Sequence, residues 1–202
     1  MPNTISLERV QKYQKKWKFT LTGDFYRDLA MKESSGNSSA ENSLHYLGLY
    51  QVGETAMTDA GYYEKIPETG YWEGSWTGKN GINSKEDFLN NSQVQEIAIR
   101  EYHKRVWGYL KHHQDEVGSV INSITLSKAG MIAYSHLVGA GSLKQFIDSK
   151  GENDPADANN VKGSDYLDAF AEHLDVDWSV PEYSAKNTIE RLLDRLFGKF
   201  KK

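Results

Sequence analysis

Apolar residues recur along most of this chain at helical spacing, three or four positions apart. Residues 6–17 carry a short, basic and largely polar version of that pattern. Asp24 is a good N-cap for a helix holding Phe25, Leu29 and Met31, which stops at the small polar run Ser34-Ser35-Gly36. Residues 36–43 have no apolar period, and an aromatic segment bounded by glycine follows at 45–53. Residues 54–60 read as a short helix, and residues 62–84, rich in Gly, Trp and Tyr, as a long loop. Ser84 caps a helix over 85–89. The longest periodic run spans 92–113 and puts Val94, Ile97, Ala98, Tyr102, Val106 and Tyr109 on one side. Ser127 caps residues 128–138, which are small and apolar almost all round and so predict a buried central helix. Residues 142–149 form a short amphipathic helix, 151–163 a polar loop, and 164–174 a further helix. Near the end, Ile189, Leu192, Leu193, Leu196, Phe197 and Phe200 make one apolar stripe on a C-terminal amphipathic helix. No stretch alternates with a period of two strongly enough to predict a strand. The fold class expected is mainly α, in one domain, with no internal repeat and no low-complexity tract.

Composition narrows the function classes. The 202 residues are 38% hydrophobic and 12% aromatic, which predicts a packed core. The net charge of −4 excludes a chain that grips nucleic acid through bulk charge. That charge is uneven. From Lys186 onward there are six basic and two acidic residues, a local +4 that leaves −8 for the remainder. The tail stripe therefore has two readings: packing on the domain, the usual fate of such a face, or contact with an anionic membrane. The absence of cysteine excludes disulfides, zinc–thiolate sites and thiol catalysis. No apolar run resembles a secretory signal, and none approaches the roughly 20 residues of a membrane span. The chain is thus expected to be made in the cytoplasm. The surplus of Tyr, Trp and Gly suits a groove lined by rings and shaped by glycine loops, as in carbohydrate sites.

Glu33 is the leading candidate for chemistry. It ends a helix whose other face is apolar, and small polar residues follow it. A carboxyl against packed apolar side chains loses solvation, and the negative end of a helix dipole acts in the same direction. Such a carboxylic acid can serve as a general acid.

Around it lies an ordered set of segments. Glu33-Ser34-Ser35-Gly36 is followed by Gly48-Leu49-Tyr50-Gln51-Val52-Gly53, then by Ala133-Tyr134-Ser135-His136-Leu137-Val138-Gly139-Ala140-Gly141, and finally by Tyr166. This order resembles the lytic transglycosylase and goose-type lysozyme group of the lysozyme-like superfamily, whose pattern is E-S-x-G, G-L-x-Q, A-x-N-x-G-x-G and a late tyrosine. It looks most like the compact forms found in phage lysins and in secreted wall-degrading effectors. The likeness spans about residues 24–175. In the third segment Ser135-His136 stand where the family commonly has Asn, and two extra residues precede the glycines.

The resemblance implies a lysozyme-like catalytic domain over 21–180, which the helical pattern flanks with an N-terminal helix over 1–20 and a basic amphipathic helix over 181–202. It implies a bacteriolytic peptidoglycan glycosidase, a muramidase or lytic transglycosylase, cleaving between N-acetylmuramic acid and N-acetylglucosamine without a metal or other cofactor. Glu33 matches the acid that protonates the glycosidic oxygen. Gln51 matches a cleft-lining residue near the scissile sugar, and Ser34 is a candidate substrate-binding residue. Tyr46 and Tyr50 are candidate stacking rings, Ser135 or His136 candidate donors, and Tyr166 a partner for Glu33 or the sugar N-acetyl group. The partner implied is bacterial peptidoglycan, with room for a delivery component or an immunity protein, reached in the periplasm or wall by a non-Sec route.

A hydrolase needs a second carboxylate to activate water or trap the sugar, whereas a transglycosylase uses the 6-hydroxyl of the muramic acid itself. Glu41, Glu54 and Asp59 are the near candidates, and the sequence does not choose between the two reactions. Alternative readings are a non-catalytic wall-binding or membrane-active module on the same shell, and a chitinase-like glycosidase.

Other clusters have plainer readings. His112-His113-Gln114-Asp115-Glu116 lacks metal-ligand spacing and reads as a solvated helix end. Residues 154–160 lack calcium-loop spacing and read as a capped turn that borders the cleft. Trp107 reads as core, while Trp72 and Trp76 are candidate cleft rings.

Overall fold

A computed structural model describes residues 5–174 and 176–179. The architecture is mainly α, with eight helices among the described residues and four two-residue strands. The helices are α1 (Leu7–Trp17), α2 (Phe25–Ser34), α3 (Glu54–Asp59), α4 (Lys85–Leu89), α5 (Ser92–Tyr109), α6 (Lys128–Val138), α7 (Ala140–Asp148) and α8 (Gly163–Phe170).

Local chemistry accounts for most boundaries. The Asp24 carboxylate accepts from the Arg27 amide at the start of α2, Ser84 from that of Asp87 in α4, and Ser127 from that of Gly130 in α6. Ser35 ends α2 in the left-handed region at φ 57°.

Helix α6 is the hub, with Ala129 through Ser135 all buried. Its closest neighbour is α8, and two glycines allow the approach. A Cβ on Gly130 would sit 2.7 Å from the Leu167 carbonyl oxygen, and one on Gly163 would run into the buried Tyr134 ring. Helix α5 packs on α3, α4 and α6. Helix α1 lies on the same core: Tyr13 is buried, its hydroxyl donates to Asp168 at 2.7 Å, and Arg9 and Lys12 pair with the same carboxylate. These three donors hold the Asp168 carboxyl at about 2, against the desolvation that would raise it.

Four expectations are corrected. Residues 62–84 contain an antiparallel ladder, β1 (Tyr63–Glu64) with β2 (Ser75–Trp76). A second hairpin joins β3 (Val120–Ile121) to β4 (Ile124–Thr125) through Asn122 and Ser123, both at positive φ. Two-residue strands are too short to show a period. The long helix stops at Tyr109, not near 113, and Tyr109 is exposed. The last described helix runs from Gly163 only to Phe170, not to 174. The expected C-terminal stripe at 188–202 lies outside the described residues.

Candidate active site

Glu33 sits in the last turn of α2, and its side chain is 14% exposed. It lines a cleft of about 400 Å³ together with Tyr46, Gln51, His136, Val138 and Asp157. A second recess of about 430 Å³ shares Leu44, Tyr46, Gln51, His136, Leu137 and Val138 with the first, and extends the groove toward Glu54, Lys65 and Tyr71. The two recesses thus adjoin along this shared wall, with Glu33 in the first.

The Tyr166 hydroxyl, from the first turn of α8, donates to Glu33 Oε1 at 2.6 Å. Burial and the neighbouring Glu33 carboxylate push the Tyr166 phenol well above its ordinary value, so it stays a donor. His136 Nε2, from the last turn of α6, lies 3.9 Å from the same oxygen. Burial holds His136 below its ordinary 6.5, against the opposing pull of Glu33 and the Tyr50 carbonyl, so the ring is neutral at neutral pH.

The wall opposite is a tight turn. Leu47 pairs with Val52 across residues 48–51, and Gly48 and Gln51 both adopt positive φ. The Gln51 side-chain amide donates to the Gly48 carbonyl at 2.9 Å while the residue lines the cleft. Ser34 fixes this turn to α2 by donating to the Leu49 carbonyl at 2.9 Å, so its hydroxyl is occupied by the scaffold and not by a ligand. Tyr46 is 41% exposed on the groove.

Besides Ser34, two sequence-predicted contacts are corrected. Tyr50 is 1% exposed, packs edge-on against Tyr26, and donates to Glu96 at 2.5 Å, so its ring stacks in the core and not on a sugar. Ser135 is fully buried and donates back to the Met131 carbonyl at 2.8 Å, which leaves His136 as the donor candidate of that segment. Trp72 and Trp76 stack on each other at 5.5 Å beside Tyr63, and the Trp72 indole donates to the His45 carbonyl. Their neighbour Tyr71, stacked on His45 at 4.6 Å, is the ring that reaches the groove.

The second-carboxylate candidates are all engaged. Glu41 pairs with His45 and Lys85, which hold its carboxyl below the ordinary range. Glu54 lines the far arm of the groove, but accepts from the Trp72 amide at 2.8 Å and pairs with Lys65; these lower it against desolvation. Asp59 accepts from Tyr109 at the rim of a different depression, one not shared with the Glu33 cleft. Asp157, within the turn expected to border the cleft, lines it together with Glu33 and was not among the second-carboxylate candidates. Its Oδ1 accepts from the amides of Asn159 and Val161, and so closes its own turn. As expected, residues 155–159 border the cleft, and Asp154 caps α8 through Ser164. Among the described residues no group of three or more His, Asp or Glu could hold a metal ion, and no helix is long and apolar enough to cross a membrane.

Sequence reasoning also missed Gln95. It is buried in α5, accepts from the Leu49 amide at 2.8 Å, and donates to the carbonyls of Ser38 and Phe88. A Cβ on Gly48 would strike this amide, which explains the glycine there. A buried Gln amid apolar helical positions was the available signal. A Gln95→Leu substitution strands three backbone groups, and urea unfolding is expected to show a loss of about 2–3 kcal/mol.

No family model, no curated protein and no solved structure matches this chain.

Proposed function

We propose that the chain has a lysozyme-like fold and cleaves the β-1,4 bond between N-acetylmuramic acid and N-acetylglucosamine in bacterial peptidoglycan, with Glu33 as the acid and then the base. The observation that carries this reading is the hydrogen bond between Glu33 and Tyr166. It joins residues 133 positions apart, in a groove, in the order of the family pattern.

The carboxyl has divided roles. Oε1 is taken by the Tyr166 hydroxyl, so Oε2 is the oxygen left to carry the transferable proton. It protonates the glycosidic oxygen as the anomeric bond breaks toward an oxocarbenium-like state. The ionised Glu33 then removes a proton from an attacking hydroxyl. Since Glu41, Glu54 and Asp59 are held by other partners and Asp157 closes its own turn, Glu33 works without a second carboxylate. That favours attack by the 6-hydroxyl of the muramic acid, with help from the substrate's acetamido group, over attack by an activated water. The activity proposed is therefore that of a lytic transglycosylase.

Mass spectrometry of digested sacculi tests this. Products ending in 1,6-anhydromuramic acid, lighter by one water than the hydrolysis products, are expected. Reducing muramic acid ends would instead make the enzyme a muramidase, and reducing glucosamine ends a glucosaminidase.

A further inference from the structure

Behind Glu33 stands a buried group that the reaction just described does not use. His103, on α5, is fully buried, and its Nε2 lies 3.2 Å from His136 Nδ1. The rings meet edge to face at 5.3 Å. His136 in turn faces Glu33 Oε1 with Nε2. Three groups from α5, α6 and α2 are thus in line, ending at the proposed acid.

We propose that His103 is a positioning residue that holds the His136 ring, as its Nε2–H tautomer, by a hydrogen bond to Nδ1, so that a neutral imidazole N–H points at Glu33 Oε1 throughout the reaction. This rests on the role proposed for Glu33.

The choice of tautomer follows from what surrounds each nitrogen. One proton lies between the two rings. If His136 Nδ1 carried it, neutral His103 would carry its own proton on Nδ1. That atom is buried and has no partner. An unpaired buried N–H is among the rarest features of folded proteins, whereas a bare acceptor is better tolerated. The same arrangement would leave His136 with a lone pair facing Glu33, acceptor against acceptor. In the opposite arrangement His103 Nε2–H donates to His136 Nδ1, the bare nitrogen of His103 is the acceptor, and His136 Nε2–H faces an oxygen. Both conflicts disappear.

The surroundings keep both rings neutral. His103 is wedged against Phe25 and stacked on Tyr26, with the Arg100 guanidinium over the Tyr26 ring and His136 beside it. Burial, His136 and Arg100 all act against protonating His103. His136 is faced by Glu33 from α2, by the Tyr50 carbonyl from the 48–51 turn, and by His103 from α5. Tyr102 shares its recess.

The consequence is specific. When Glu33 gives up its proton, Oε1 gains charge, and the His136 N–H is placed to close the 3.9 Å gap and become a second donor beside Tyr166. Both donors then act on the oxygen that does not transfer the proton.

Long-range imidazole ¹⁵N spectra of the labelled full chain read the tautomer directly, with each histidine assigned by a single His→Gln variant. His136 is expected as Nε2–H in the wild type and in His103→Gln, whose amide still donates to Nδ1. In His103→Phe, whose ring neither donates nor accepts, Nδ1 loses its partner while Nε2 still faces Glu33, so Nε2–H is expected to remain and what is lost is the hydrogen bond that holds the ring in place. On sacculi, His103→Phe is expected to lower kcat about tenfold at unchanged KM, the worth of one hydrogen bond to a charged group, with His103→Gln close to wild type. An Nδ1–H or doubly protonated His136 in the wild type at neutral pH overturns the proposal, and that spectrum decides it even if His103→Phe does not fold. A folded His103→Phe with unchanged kcat, or a folded His103→Gln that loses as much as His103→Phe, also overturns it. A wild type that releases no muropeptides but shows the expected tautomers refutes the enzymatic role of Glu33 and leaves the histidine lock standing.

Discussion

Glu33→Gln is expected to abolish release of muropeptides from purified sacculi while leaving the protein folded. The substitution keeps the side chain's shape, and its amide oxygen can still accept from the Tyr166 hydroxyl that now donates to Oε1 at 2.6 Å. What it removes is the proton that Oε2 would deliver. General acid catalysis contributes about 10²–10⁴-fold, and here one carboxyl serves as both acid and base, so a loss at the upper end of that range is expected. Far-ultraviolet circular dichroism and the melting temperature should match the wild type, and sacculus pelleting should show binding retained. A folded Glu33→Gln protein that cleaves at the wild-type rate would remove Glu33 from the mechanism. A wild type that pellets with sacculi but releases nothing would favour the non-catalytic wall-binding module over the enzyme.

The starts of α2, α4 and α6 were legible in the sequence. Helix positions followed from caps and periods: Asp24, Ser84 and Ser127 each start the helix expected of them because a short polar side chain precedes an apolar run. The pairing of Glu33 with Tyr166 was legible only through the order of four segments, since no local pattern links residues so far apart. What stayed hidden was burial within the motifs. Tyr50 and Gln51 are adjacent, yet one packs in the core and the other lines the cleft, because positive φ at Gly48 and Gln51 sets the side-chain directions of that turn. Ser135 and His136 divide in the same way by one helical step of 100°. The supporting residues were invisible for another reason. Gln95 and His103 sit at ordinary helical positions in α5, and only their partners on other elements, the 48–51 turn and α6, give them meaning. The short strands failed to register because two residues cannot display a period of two.

Asp28→Ala is expected to be the most damaging single change away from Glu33, and its effect should reach the cleft. Asp28 is fully buried in the first turn of α2. Its Oδ2 accepts from the amides of Thr22 and Gly23 and from His173 Nε2, at 2.7, 3.1 and 2.9 Å, and its Oδ1 accepts from the Thr22 hydroxyl at 2.8 Å. Alanine strands these donors in the interior, at a cost of about 3–5 kcal/mol, or about 10 °C in melting temperature for a chain of this size. Asp28→Asn should cost far less, because its amide oxygen can take the three Oδ2 donors and the Thr22 hydroxyl can turn to donate elsewhere or accept from the new amide. The pH dependence has a definite sign. Desolvation would raise the Asp28 carboxyl, but His173 and Thr22 outweigh it and hold it below 3.8. A depressed carboxyl stabilises the fold above its unfolded value and loses that contribution as pH falls through its folded value. The gap in melting temperature between wild type and Asp28→Ala should therefore be full near pH 5 and shrink steadily below about pH 4. Buried His103 and His136, both held below 6.5, weaken the fold as pH falls below that value, but they are common to both proteins and cancel in the difference. The clamp also has a partner at the other end of the same helix. Asp28 ties the start of α2 to the turn after α8, while Glu33 ties the end of α2 to the start of α8 through Tyr166. Two hydrogen bonds at opposite ends fix α2 against α8 in both position and rotation. Losing the Asp28 end leaves Glu33 free to pivot about the other, so the alanine variant, assayed well below its melting temperature, should show a lower kcat than the asparagine variant.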